Sequence, residues 1–205
     1  MPNFVLNGVV ITGPPTDIEK VKSQLSQGFK RAYFHQSGDF DSIQEKSVIT
    51  FSNPVFAFWN IVNPVTENAW SMKNGLGPAD LWDEDDPAWF RKAWGPERDV
   101  AVSDGEEFPT TLLNSETETS LSYQFDTAWV DCRQVIRVLA IQYPTVEIVY
   151  DFEYPDDGNG GSISYSGEEM KLVNEYLWKC DWCDYQENDE VTQVCPNCEA
   201  DDDTF

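Results

Sequence analysis

Four cysteines near the end of the chain have the residue type and the spacing of a metal site. Cys180 and Cys183 form one C-x-x-C pair, and eleven residues later Cys195 and Cys198 form a second pair. Each pair lets two sulfurs meet one ion from a tight turn, and two such turns complete a tetrahedral thiolate shell around zinc. Because protein sulfurs would fill all four positions, we expect one structural zinc ion without a catalytic water.

The same thiols allow other chemistry. Four unligated thiols, two disulfides or an iron site of the rubredoxin kind would use the same residues. A thioredoxin-like redox pair is disfavoured, because neither pair follows an apolar strand and opens a helix. Zinc is preferred because the sequence offers no redox context. The fifth cysteine, Cys132, lies in a helix-like segment and is expected to be a buried thiol in a reducing compartment.

The residues around these cysteines resemble the RanBP2-type zinc finger. Trp178 precedes the first pair and Asn188 follows it, with one more residue between Cys183 and Asn188 than that family has. The resemblance implies binding to single-stranded RNA or ubiquitin, and the RNA-binding members use arginines in this segment. The corresponding residues here are acids: Asp181, Asp184, Glu187, Asp189 and Glu190. We therefore do not expect direct nucleic-acid binding.

Catalytic chemistry has little support in the sequence. His35 is the only histidine, and there is no Walker A sequence or G-x-G-x-x-G loop for phosphate binding. Acid pairs such as Asp83 and Asp85 could hold a divalent ion, but among 37 acidic residues such pairs arise by chance and indicate a solvated face. We predict no catalytic residue and no enzyme activity. A metal-dependent hydrolase that uses clustered carboxylates is kept as an alternative.

The charge of the chain is unevenly distributed. Its formal net charge is −24, and residues 1–50 have equal numbers of acids and bases, so all of the excess lies after residue 50. Such a field repels phosphate backbones, whose binding depends on lysine and arginine, and favours basic protein surfaces. The chain contains no apolar stretch of bilayer length, and the first 13 residues lack the basic region and the apolar block expected of a signal peptide. We therefore predict a soluble cytoplasmic protein.

Residues 56–94 are unusually rich in aromatic side chains, which more often form a core than a ligand platform. Trp82 and Trp89 are flanked by acids and are the expected exposed anchors for a partner. The predicted partner-binding residues are Trp82, Asp83, Glu84, Asp85, Asp86 and Trp89.

The pattern of apolar residues predicts an α+β fold. Alternating and helical periodicities predict, in order, a strand at 3–12, a helix at 16–30, strands at 47–51 and 121–125, a helix at 131–142, a strand at 146–152 and a hairpin strand at 162–166. This order is the split βαβ arrangement of a ferredoxin-like antiparallel sheet with helices on one face. Prolines 78 and 87 indicate helix starts within an insertion.

Four segments follow from this assignment. Residues 1–168 form the ferredoxin-like domain, with a helical and loop insertion at about 54–117. Residues 169–177 are predicted to be a linker or helix, residues 178–200 a zinc ribbon or knuckle, and residues 201–205 an acidic tail.

Several short motifs resemble the YubB ferredoxin-like family, also called Api92-like or DUF1281, of phages and plasmids. They are Met1–Phe4 with Asn7, Thr12 and Gly13, then Trp89–Arg91, Ala93–Gly95, Phe125–Trp129, Tyr143–Pro144 and Tyr150–Gly161. The chain departs from the family at Pro96–Arg98, where Thr-Lys-Trp is usual. The resemblance implies a mobile-element origin and a ferredoxin-like fold, and the family carries no established activity.

These observations predict a non-enzymatic phage or mobile-element protein that binds a basic host protein surface. It would act as a nucleic-acid mimic or as an inhibitor of host defence or of a nucleic-acid-binding host enzyme. The alternative is a zinc-finger adaptor that binds nucleic acid or protein.

Overall fold

The computed structural model describes residues 3–35, 45–62, 93–96, 98–107 and 110–176, together with strand residues 178–179 and 186–187. The elements are β1 (Phe4–Thr12), α1 (Pro15–Leu25), β2 (Phe29–His35), β3 (Glu45–Phe51), a 3-10 turn (Phe58–Asn60), β4 (Thr111–Thr117), β5 (Ser120–Ala128), α2 (Arg133–Gln142), β6 (Glu147–Tyr154), β7 (Asn159–Ser166), β8 (Glu169–Tyr176), β9 (Trp178–Lys179) and β10 (Gln186–Glu187).

A six-stranded antiparallel sheet is the centre of the fold. Its strand order is β4-β5-β1-β6-β7-β8, so the first strand of the chain lies between β5 and β6. Strands β2 and β3 pair with each other, as do β9 and β10, in two separate two-stranded sheets. This topology confirms the predicted ferredoxin-like α+β class.

Both helices pack on the same face of this sheet. Strand β1 alternates, with Val5, Val9 and Ile11 fully buried against the helices. Helix α1 buries three apolar residues, one per turn, and α2 buries four in the same core. None of the helices among the described residues is long and apolar enough to span a bilayer.

The described part of the aromatic insertion belongs to the core. Phe56 and Phe58 are completely buried, and their rings lie 5.0 and 5.8 Å from that of Phe125 on β5. Trp94 is also buried, and its indole nitrogen donates to the carbonyl of Val62 at 3.1 Å. These contacts confirm the core interpretation for residues 56–62 and Trp94, whereas the helix starts predicted at prolines 78 and 87 lie outside the described residues.

Four elements, namely β2, β4, β8 and α1, differ from the sequence-based prediction. The segment 169–177, predicted as a linker or helix, contains edge strand β8 at 169–176, and β4 occupies 111–117 of the predicted insertion. Seven of the eight residues of β8 are exposed, so it has no alternating apolar pattern to recognise. Helix α1 ends at Leu25, short of the predicted residue 30, because Gly28 leads into β2.

Candidate functional site

The residues predicted to carry function from sequence lie outside the described part of the chain. These are the cysteines Cys180, Cys183, Cys195 and Cys198 and the acidic tryptophan segment Trp82, Asp83, Glu84, Asp85, Asp86 and Trp89. Strand β9 ends directly before Cys180 and its antiparallel partner β10 begins at Gln186, so the first cysteine pair falls in their connection. Among the described residues, no group of three or more His, Cys, Asp or Glu side chains is placed to hold a metal ion.

The face of the large sheet opposite helices α1 and α2 is the candidate surface of the described structure. We call it the open face. Its central cross-strand row consists of Gln124, Gly8, Asp151, Ser162 and Asn174, paired in that order across β5, β1, β6, β7 and β8. The row therefore runs nearly the full width of the sheet, and its second member, Gly8, has no side chain.

Acidic residues dominate the charge of the open face. By strand alternation its ionisable members are Asp126, Glu147, Asp151, Glu153 and Glu169, with Lys171 as the single base among the described residues of this face. Partial burial raises the pKa of Asp126 above its ordinary value of 3.8. The five carboxylates and one ammonium group make this face negative at neutral pH.

A shallow groove of about 460 Å³ crosses the open face. Gly8 forms its floor, and Leu6 and Val10 extend along β1 on either side of the glycine. Polar walls come from Asp151 on β6 and from Gln124 on β5, whose amide oxygen accepts from Asn114 Nδ2 at 3.2 Å. Glu153 also lines the groove, which therefore combines two carboxylates, amide groups and short apolar strips.

The opposite side of the same strands holds a buried polar network centred on Asn7. Its amide nitrogen donates to the carbonyls of Val5 at 2.8 Å and Phe125 at 3.2 Å, and to Thr127 Oγ1 at 3.0 Å. Its amide oxygen accepts from the Tyr150 hydroxyl at 2.6 Å. Asn7 is 1% exposed, so these bonds replace all of its contacts with water.

Tyr150 connects Asn7 to the start of α2. The tyrosine hydroxyl accepts from the backbone N–H of Cys132 at 3.0 Å, and the Cys132 thiol lies 3.8 Å from the Asn7 amide oxygen. Burial raises the pKa of the Cys132 thiol far above its usual range, and the thiol is completely enclosed. Cys132 is therefore a buried core thiol, as predicted, and it is not activated as a nucleophile.

An ion pair extends this network toward solvent. Arg133 Nη2 donates to Asp131 Oδ2 at 2.8 Å, and the guanidinium carbon lies 4.6 Å from the ring centre of Phe152. The Tyr154 hydroxyl donates to the same carboxylate at 2.9 Å, and desolvation raises the pKa of Tyr154 to about 12. Every polar group of this cluster has a partner, so we interpret the cluster as structural support for the open face.

Residues from four of the motifs that resemble the Api92-like family meet around this cluster. Gly95 has a φ of +97°, and a side chain there would place its Cβ 2.5 Å from the Asp131 carbonyl oxygen. At the end of β5, Thr127 Oγ1 donates to the Val130 carbonyl at 2.7 Å across Trp129, which has a φ of +71°. The insertion, β1, β5, β6 and α2 are therefore joined at one point by residues of four separate motifs.

The sequence-based reasoning missed the open-face residues Gly8, Asp126 and Asp151. Each of them lies at an outward position in the alternating pattern of β1, β5 or β6. The order in which the strands lie side by side, which brings them together, could not be read from that pattern.

Comparison with known proteins supports the fold. Residues 110–196 match the family model described as "Ferredoxin-like domain in Api92-like protein". The structure is similar to the crystal structure of the protein api92 from Yersinia pseudotuberculosis, with a TM-score of 0.54 and 8% identity over 88% of this chain and 99% of that chain. At this identity the similarity shows the fold alone, and no curated protein matches the chain. Residues 110–196 are thus similar to the ferredoxin-like domain of Api92-like proteins, the family that the sequence motifs resemble.

Proposed function

We propose that the chain is a non-enzymatic binding protein of a phage or plasmid, which docks its open face on a basic protein surface in the host cytoplasm. The observation that carries this proposal is the charge of the open face, where Lys171 is the single base beside five acids in the described residues. The mobile-element origin rests on the family resemblance.

Electrostatic complementarity explains how such a face would select its partner. A negative surface steers a basic protein toward it and raises the rate of association, and it repels proteins and polymers of the same sign. The network around Asn7 and Asp131 holds strands β1, β5 and β6 in place behind this face. A preorganised surface loses less conformational entropy on binding than a flexible one.

The proposal is tested by capturing partners from bacterial lysate on the immobilised chain. The captured partner should elute in about 1 M salt, where the Debye length falls to about 3 Å. The double variant Asp126→Asn with Asp151→Asn should lose the partner. The control variant Glu19→Gln with Glu107→Gln removes the same charge from exposed positions outside the open face and should retain the partner. A partner that resists salt, or equal loss in both variants, would contradict the proposal.

Imitation of nucleic acid gives the proposal a sharper form. If the partner normally binds a phosphate backbone with its basic surface, double-stranded DNA should compete with the chain for it. We expect DNA to displace the captured partner at low salt. Simultaneous binding of DNA and the chain would contradict mimicry and leave the basic-surface proposal in place.

We also propose that Cys180, Cys183, Cys195 and Cys198 bind one structural zinc ion. Four thiolates are a donor set that zinc prefers, and the antiparallel pair β9 and β10 on either side of the first cysteine pair supports a zinc ribbon or knuckle. Elemental analysis should give one zinc per chain, and Cys195→Ala should lose it. The adaptor alternative predicts a zinc-dependent gel shift with single-stranded RNA or DNA, which our proposal predicts to be absent.

A further inference from the structure

Gly8 is an unexpected residue in the middle of the central strand. Glycine weakens a strand, because it loses more backbone entropy on folding than other residues and has no side chain to pack. A glycine inside a strand therefore usually marks a bulge, a tight bend or the close approach of another group. Strand β1 pairs with both of its neighbours through Gly8 without a shift in register, so neither a bulge nor a bend explains it.

The other glycines of the described structure each have a visible reason. A Cβ at Gly13, Gly28, Gly160 or Gly161 would lie within 3.0 Å of a neighbouring atom. Gly95, Gly105, Gly158 and Gly167 have φ values between +58° and +97°, which other residues rarely adopt. Among the described residues, a Cβ at Gly8 would meet only Asp151, with its Cβ at 3.7 Å and its Oδ2 at 3.9 Å, which are ordinary contacts. The fold therefore has room for a side chain that the sequence does not supply.

The space above Gly8 has the surroundings that a lysine or arginine side chain needs. Asp151 Oδ2 borders it, and the Gln124 amide stands on the opposite wall. Leu6 and Val10 provide apolar contact along β1 for the methylene groups of a long basic side chain, which bury their stem while the charged head reaches a carboxylate. An anionic group would instead meet Asp151 without a compensating base in this groove, whose described lining contains no Lys or Arg.

We infer that the groove over Gly8 is a receptor slot for a lysine or arginine side chain of a basic protein segment, with Asp151 as its charge partner. This inference rests on the proposed function and specifies the contact. A second copy of this chain is a poor occupant, because its formal charge of −24 opposes association of two open faces. Retaining glycine at this position keeps the slot open at the expense of strand stability.

The test uses the full chain and a fluorescein-labelled hexa-arginine peptide as the probe, with fluorescence anisotropy as the measurement. Gly8→Leu fills the slot without changing charge and should weaken binding by about tenfold. Gly8→Ala, for which the structure has room, should weaken binding to a smaller extent. Ser164→Leu places the same leucine side chain on the same face outside the groove and should bind like the unmodified chain. Asp151→Asn should weaken binding and reduce its dependence on salt.

Each result bears on one of the two proposals. The slot is overturned if hexa-arginine does not bind the unmodified chain, or if it binds Gly8→Leu with the same affinity as the unmodified chain. Should Gly8→Leu fail to fold by circular dichroism, unchanged affinity in Gly8→Ala overturns it. A third outcome overturns the slot and leaves the proposed function standing: the lysate partner is lost in the double variant Asp126→Asn with Asp151→Asn but is retained in both Gly8 variants. If hexa-arginine binds in the slot but the lysate yields no salt-sensitive partner, the proposed function is overturned and the slot stands.

Discussion

Removing the Tyr150 hydroxyl should destabilise the fold far more than one oxygen atom suggests. The hydroxyl donates to Asn7 Oδ1 at 2.6 Å and accepts from the Cys132 N–H at 3.0 Å, and all three residues are at most 1% exposed. Tyr150→Phe keeps the ring and its packing. It leaves a buried amide oxygen with only the weakly donating Cys132 thiol at 3.8 Å, and it leaves a buried N–H without this partner.

The magnitude follows from these two orphaned groups. A buried group left unsatisfied costs about 1–3 kcal/mol, and the Cys132 thiol still lies near the Asn7 amide oxygen, so for the two groups together we expect a loss of about 2–4 kcal/mol in the free energy of unfolding, the lower part of their summed range. For a chain of this size each kcal/mol lowers the melting temperature by about 2–4 °C, which gives a fall of about 4–16 °C.

Urea unfolding followed by far-ultraviolet circular dichroism measures this loss. The matched control is Tyr143→Phe, which removes a hydroxyl that donates to Gln24 Oε1 at a partly exposed position where water can replace it. The control should lose about 1 kcal/mol or less. An equal cost for the two substitutions would refute the reasoning, because the Tyr150 effect is attributed to burial of its partners.

Three further predictions concern single positions. Gly8→Ala should stabilise the fold by about 0.5–1 kcal/mol, seen as a higher urea midpoint at constant slope, and a lower midpoint would contradict the room found above Gly8. Gly95→Ala should cost about 1–3 kcal/mol in thermal melting, because of its positive φ and the close Asp131 carbonyl; an unchanged melting temperature would refute this. Burial raises the pKa of Asp126 in the folded chain above its ordinary value of 3.8. The contribution of Asp126 to the free energy of unfolding therefore falls as the pH rises from 3.8 through the pKa of the folded chain. Asp126→Asn should therefore be more stable than the unmodified chain at neutral pH, with an advantage that disappears in acid; an advantage independent of pH would argue against desolvation as the cause.

The elements that the sequence predicts well are those buried on one side. Strands β1, β5 and β6 and helix α2 show the expected periodicities because one face of each meets the core. Strand β2 was missed because Phe29 follows Leu25 at helical spacing and extends the apparent helix. In the structure Phe29 instead stacks on Phe51, with ring centres 4.5 Å apart, and on Trp59 at 5.3 Å. These ring contacts join residues of different elements, so the periodicity within a single element cannot indicate them.

The sequence indicated the negative charge of the candidate site but not which residues form the groove. The acidic excess of the chain was evident from composition, and it led us to the tryptophan segment around Trp82 and Trp89. The groove instead depends on the registers that align Gly8 with Gln124 on one side and Asp151 on the other. These three residues are separated by more than 100 positions or by an intervening helix, so local patterns do not indicate that they are neighbours.

The central position of β1 also constrains how the protein is made. Strand β1 is synthesised before its partners β5 and β6, which begin at residues 120 and 147, so the three strands cannot pair until more than 100 further residues have been added. Contacts this distant in sequence slow folding, because a long loop must be closed before they form. During that interval the apolar side of β1, with Val5, Val9 and Ile11, has neither neighbour, and it is the surface on which a chaperone would act or aggregation would begin.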